Sequence, residues 1–229
     1  MNDLTEKLLD AALIHVPFDG WSEAALSAAA ADCGVDMAAA RAVFPRGGVD
    51  MALAFHARGD ALMLARLADH DLSQLRIRDR IALAVRLRLE AAEDRELVRR
   101  GTTLFALPLY APDGARAIWG TADAIWTALG DTSTDYNWYT KRATLAGVYS
   151  ATVLFWLGDD SPGAQATWSF LDRRIDGVMQ IERVKGAARK NPVLRTLFAG
   201  PSAVLSCIKA PTARARADLP GYMPPKPQG

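Results

Sequence analysis

Three histidines and two cysteines are the side chains of this 229-residue chain best suited to hold a metal or act as base or nucleophile. His15, His56 and His70 stand apart, and none follows a Glu by three residues, so the Glu-x-x-His unit of a di-iron helical bundle is missing. Cys33 and Cys207 form no CxxC pair, and their separation fits a reducing compartment better than a disulfide framework. His56 and Asp60 lie one helical turn apart, a spacing that more often makes a structural hydrogen bond than a ligand set. Glu90 and Glu93 share a helix face, but Arg86 and Arg88 sit close by, which reads as a solvated ion-pair face rather than a pair of catalytic carboxylates. No GxSxG elbow, Walker loop or GxGxxG turn occurs. The expectation is a protein that is not an enzyme and has no catalytic or metal residues.

The elements that carry these residues read as helices throughout. Half of the chain is hydrophobic, and β-branched residues are scattered rather than alternating, so the fold class is all-α. Apolar positions 4, 8, 9, 12, 13 and 16 form one stripe of a first helix, ended by Pro17 and Gly20. Ser22 is placed to cap a second helix, and Asp36 a short third one that stops at Pro45. These three make a helix-turn-helix-like unit over residues 1–48. A helical domain follows over 49–184, with helices expected from about Val49 to Ala68, Ile77 to Arg99 (arginines outward), Gly114 to Leu129, Thr134 to Leu157 and Gln165 to Val184. Residues 185–229 read as a basic amphipathic extension ending in a proline-rich disordered tail.

Charge is unevenly spread beneath a net +1. Residues 1–60 hold nine acidic side chains against four basic ones, a net −5, whereas Arg183 to Ala217 holds eight basic residues and no acidic one. The charge-free stretch from Ala143 to Gly158 is shorter than the ~18–20 residues a membrane span needs, so it reads as a core helix. The N-terminus has no signal-peptide pattern.

One run is distinctive: Gly130-Asp-Thr-Ser-Thr-Asp-Tyr-Asn-Trp-Tyr-Thr-Lys-Arg142, followed by Leu-Ala-Gly-Val-Tyr149, Asp159-Asp160-Ser-Pro162 and Thr167-Trp-Ser-Phe-Leu-Asp-Arg-Arg-Ile-Asp176. With His-Val-Pro-Phe-Asp-Gly-Trp-Ser (15–22) and Leu75-Arg-Ile-Arg-Asp-Arg80, it resembles the TetR-fold lipid-binding accessory family of ubiquinone biosynthesis, in its bacterial-type form, over about residues 8–184. The resemblance implies a TetR-like homodimer in the cytoplasm, peripheral to the inner membrane. It also implies an apolar interior for an isoprenoid lipid or quinone precursor, with no other cofactor. The implied partner is the demethoxyubiquinone hydroxylase, a di-iron enzyme.

Residue by residue, the resemblance assigns Asp135, Trp138, Tyr139 and Arg142 to hydroxylase docking; helical spacing puts them on one face, and Trp, Tyr and Arg concentrate interface energy. Candidate lipid-lining residues are Leu104, Phe105, Trp119, Trp126, Leu145, Tyr149, Val153 and Trp156, which would equally fill a core. Contact with an anionic membrane falls to Lys190, Leu194, Arg195, Leu197, Phe198 and Lys209, in a segment interrupted by Gly200-Pro201.

The alternative is a TetR-type transcriptional repressor with a small apolar ligand. Its DNA-binding unit should be basic, yet residues 1–60 are acidic, and the third helix offers one Arg among alanines to read base edges. Nucleic acid is therefore not an expected partner.

Overall fold

The computed structural model describes residues 3–92, 94–190 and 209–211, with residues 181–190 given by their backbone alone. The helices are α1 (Asp3–Asp19), α2 (Glu23–Asp32), α3 (Met37–Val43), α4 (Gly48–Ala68), α5 (Ile77–Glu90), α6 (Arg95–Phe105), α7 (Ala111–Ala128), α8 (Tyr136–Leu157) and α9 (Gln165–Lys190). No strand occurs among the described residues. The all-α expectation holds.

Local chemistry sets most of the boundaries. The Ser22 hydroxyl accepts from the Ala25 N–H and the Asp36 carboxylate from the Ala38 N–H, each satisfying a donor that a helix start leaves open. Two elements differ from expectation. Pro17 is carried inside the last turn of α1, where its missing donor costs one bond while the Gly20 N–H still closes on the Val16 carbonyl at 2.8 Å. The single helix expected over 77–99 is two, because Asp94 turns its carboxylate onto the Glu96 N–H (2.7 Å) and starts α6 instead of continuing α5.

Two apolar clusters hold the helices together. Leu8, Leu9, Val16, Leu26, Phe44 and Met51 form one beneath the first three helices, joined by Leu97 of α6. Met63, Ile81, Val85, Ile125, Leu145, Tyr149, Trp156, Leu171 and Ile175 form the other, where α4, α5, α7, α8 and α9 converge. The helix-turn-helix-like unit thus shares its core with α4 and α6. Trp21 anchors that junction: its indole N–H donates to the Leu97 carbonyl at 3.1 Å, and its backbone lies against Gly48 at the start of α4.

Candidate functional site

The first half of α4, with α5, α6, α7 and α8, borders a cavity of about 490 Å³, a ligand-sized space. Its walls include Phe55, Leu97, Phe105, Ile118 and Val153, with Trp21 at the junction between the clusters. His56, Arg88 and Tyr149 border it as well. Arg88 corrects the outward placement of the α5 arginines: it is 5% exposed. Its position follows the Ile81–Val85 stripe, and it is tolerated there because Asp60 on α4 receives its Nε–H at 2.6 Å and the His56 carbonyl receives Nη2 at 3.0 Å. Arg86, one turn from Glu90, does face outward and pairs with it at 2.7 Å, as the ion-pair reading expected. Glu93 lies outside the described residues.

His56 and Asp60 meet through a third residue that sequence could not supply. The Thr121 hydroxyl of α7 lies 2.9 Å from Asp60 Oδ1 and 2.8 Å from His56 Nε2, while the direct His56–Asp60 approach is 3.7 Å. Burial pushes the imidazole down to about 4, with Arg88 acting in the same direction and Asp60 and the Ala117 carbonyl offsetting part of it. The ring is neutral at pH 7.

A pH dependence follows. The unfolded chain takes up the His56 proton near 6.5 and the folded one only near 4, so between those values the unfolded state binds more proton and stability falls with falling pH. The loss at this site is expected to reach about 3 kcal/mol. His56→Gln keeps a donor for Thr121 and cannot titrate, so urea unfolding across this window should show a shallower slope than wild type. Coincident slopes would remove His56 as the source.

The distinctive run 130–142 proves to be an ionic scaffold at the start of α8. Asp131 sits at its centre with a side chain 1% exposed, receiving Lys141 Nζ at 2.7 Å, Arg142 Nη1 at 2.9 Å and the Ser133 hydroxyl at 2.8 Å. Burial alone would raise the Asp131 carboxyl; the bonds from Lys141, Arg142 and Ser133 outweigh it and hold it at about 2. Arg142 also donates Nε to Asp123 at 2.6 Å and Nη1 to the Trp138 carbonyl at 3.1 Å, with its guanidinium 4.0 Å from the Trp138 ring centroid. Arg142 is 2% exposed, so its guanidinium lies beneath the surface of the face expected to dock a partner.

Above it, Trp119, Trp138 and Tyr139 form an aromatic cluster, with Trp138 at 6.0 Å from Trp119 and 4.8 Å from Tyr139. Trp138 is 9% exposed, while Tyr139 and Asp135 are half-buried. Asp135 caps α8 through the Asn137 N–H at 3.0 Å. The short segment 209–211 lies against this end of the helix: the Ala210 N–H donates to the Thr134 carbonyl (2.9 Å), and the Tyr139 hydroxyl donates to the Lys209 carbonyl (3.3 Å).

The expected lipid-lining residues separate into three groups. Phe105, Tyr149 and Val153 line the cavity described above. Trp126 and Leu145 line a different one of about 460 Å³, bounded by Ile77 and Ile81 of α5, Asp131 and Lys141 of the scaffold, and Ile175 and Met179 of α9. Leu104, Trp119 and Trp156 line neither of these two. Leu104 packs on the N-terminal cluster, Trp119 joins the aromatic cluster, and Trp156 is a core residue under the Arg95 guanidinium. Large apolar side chains on consecutive helices cannot be sorted into lining and filling by periodicity, because both face inward. Of the residues expected to touch a membrane, Leu194, Arg195, Leu197 and Phe198 lie outside the described residues, as does the Lys190 side chain; Lys209 is exposed. Among the described residues no helix is long and apolar enough to cross a membrane, and no cluster of His, Cys, Asp and Glu could hold a metal ion.

The fold is that of a TetR-type chain. A crystal structure of a TetR transcriptional regulator from Nitrosomonas europaea superposes with a TM-score of 0.63, covering 76% of this chain and 97% of that one at 21% identity. Residues 111–182, which hold α7, the ionic scaffold, α8 and most of α9, match the COQ9 family model. The mitochondrial ubiquinone biosynthesis protein COQ9 of Rattus norvegicus is 32% identical over 189 residues, 78% of this chain and 59% of its own length. COQ9 of Drosophila melanogaster is 33% identical over 77% of this chain and 55% of its own length. COQ9-A of Xenopus laevis is 36% identical over 77% and 58%. Residues 111–182 thus carry a COQ9 family domain, and the chain resembles COQ9 proteins over most of its own length while spanning less than two thirds of theirs.

Proposed function

We propose that this chain is a non-enzymatic accessory protein of ubiquinone biosynthesis that holds an isoprenoid quinone precursor in its apolar interior and presents it to the demethoxyubiquinone hydroxylase. The observation that carries the reading is the 490 Å³ cavity among α4 to α8, walled by Phe55, Leu97, Phe105, Ile118 and Val153 in a chain that carries a COQ9 family domain. Each CH₂ of an isoprenoid tail moved from water into such a space contributes ~0.8 kcal/mol. Hydroxylase docking belongs to the Asp135–Trp138–Tyr139 end of α8, with Arg142 holding the surface from below. The basic stretch from Arg183 to Ala217, which includes Lys190, Leu194, Arg195, Leu197, Phe198 and Lys209, supports contact with an anionic membrane, and the chain works as a homodimer peripheral to it. The repressor reading is set aside on charge: residues 1–60 are net −5, with nine acidic side chains against four basic ones, and would repel a duplex.

The quinone profile of a strain lacking the gene tests this. Accumulation of the demethoxy precursor with loss of ubiquinone is the expected result. An unchanged profile would leave the family likeness as fold alone.

A further inference from the structure

The run His15-Val-Pro-Phe-Asp-Gly-Trp-Ser22 joins α1 to α2, and of its residues only Trp21 borders the cavity. We infer that this end of α1 is a docking point for a second protein, one whose surface offers an apolar recess edged by lysine or arginine. The Phe18 ring enters the recess, and the Asp19 carboxylate takes the cation. The docking point is independent of the lipid-binding reading.

Ile14 and Phe18, one helical turn apart on α1, are 69% and 83% exposed. Asp10 lies a turn before Ile14, and Asp19 directly follows Phe18. The helix packs on α2, α3, α4 and α6 and buries Leu8, Leu9, Ala12 and Val16, which leaves this face open. Single exposed apolar side chains are ordinary. These differ in that the backbone beneath them is held from several sides. The Gly20 N–H closes on the Val16 carbonyl at 2.8 Å, and Arg100 Nη2 of α6 donates to the Pro17 carbonyl at 2.7 Å. Gly20 then turns the chain at a φ of +68°, and the Trp21 indole ties the turn to Leu97. An aromatic side chain presented on so fixed a turn needs little ordering on contact, and aromatic anchors concentrate interface energy.

Charge selects the occupant. Along α1, Asp3, Glu6, Asp10 and Asp19 stand against Lys7 alone. The cations nearby are already committed: Lys7 to Asp3, Arg58 to Glu6 and Asp10, His15 to Asp32, and Arg100 to Glu96. Asp19 is exposed and has no partner among the described residues. Such a surface repels an anionic bilayer, nucleic acid and the same face of a second copy. It attracts a basic protein surface, and a cation brought to Asp19 beside a ring that has left water is less screened than one in open solvent.

The full chain carrying p-benzoylphenylalanine in place of Phe18, made and irradiated in its native cells, tests the docking point. The expected result is an adduct with a different protein, at a peptide that holds Lys or Arg beside the cross-linked apolar residue. Asp19→Lys in the same chain should cut the adduct at least about tenfold, whereas Asp69→Lys, the same charge change just past the far end of α4, should leave it within about twofold. The cross-linked peptide, synthesised and titrated against the purified chain, should bind roughly tenfold more weakly to Phe18→Ser and about three- to tenfold more weakly to Asp19→Asn, with the Asp19 share lost at high salt. Both side chains are exposed, so denaturation midpoints should match wild type, which separates lost docking from lost fold. An adduct with lipid alone, a self-adduct through the basic stretch of a second copy, or no adduct would overturn the docking point. So would an adduct indifferent to Asp19→Lys, or a peptide whose affinity Phe18→Ser leaves unchanged.

Discussion

Arg142→Leu is expected to lower the stability of the fold by about 3–5 kcal/mol, because it breaks a buried ionic cluster from one side only. The substitution preserves apolar volume over Trp138, so the loss reports charge and hydrogen bonding rather than a cavity. What remains is Asp131, whose side chain is 1% exposed, with Lys141 and Ser133 as its partners, and Asp123 without the Nε–H at 2.6 Å. Chemical denaturation reads the effect as a lower midpoint. Adding Asp131→Asn to the same chain should recover part of the loss by removing the excess negative charge that Asp123 and Asp131 together leave against Lys141 alone. The alternative role, a side chain offered directly to a partner, makes the opposite demand: stability within about 1 kcal/mol of wild type, as for exposed ion pairs, and weaker partner binding alone. That outcome would sink the scaffold assignment.

Gly48→Ala should be nearly as damaging, for a steric reason. A Cβ at this first residue of α4 would stand 2.1 Å from the Trp21 carbonyl oxygen and 2.6 Å from the Ser22 nitrogen. Both obstacles are backbone, so no rotamer change relieves the overlap. Either α4 retreats or the 20–22 turn does, and the turn is fixed by the Trp21–Leu97 hydrogen bond and the Ser22 cap. Overpacking of this kind typically costs 1–3 kcal/mol, and a clash with backbone belongs at or above the top of that range, about 3 kcal/mol. Because Trp21, Ala52 and Phe55 all border the cavity, uptake of an apolar dye should fall along with the denaturation midpoint. A variant as stable as wild type would mean that the close approach is not required.

Most of the helices, the caps at Ser22 and Asp36 and the acidic N-terminal unit were legible in the sequence, since periodicity and capping chemistry are local; the Asp94 cap that divides the stretch 77–99 was not. Two arginines were not, and they fail for one reason. Arg88 follows Ile81 and Val85, and Arg142 falls between Trp138 and Leu145, so spacing alone places both on buried stripes. Residue type argued the other way, because a charge is rarely buried unpaired. The partners that settle it, Asp60 for one and Asp123 with Asp131 for the other, lie on different helices or loops, and nothing local announces them. Thr121 is hidden likewise: a lone threonine on α7 gives no sign that it will join His56 to Asp60.

The scaffold beneath the start of α8 has an entropic consequence. Trp138 is fixed between Trp119, Tyr139 and the Arg142 guanidinium, Asp135 is committed to its cap, and Tyr139 is tied to the Lys209 carbonyl. A surface of mobile side chains forfeits about 0.5–1.5 kcal/mol for each one frozen on contact. Here the freezing has been done during folding, so whatever lands on this face finds the aromatic rings already set, and its affinity is limited by fit rather than by ordering.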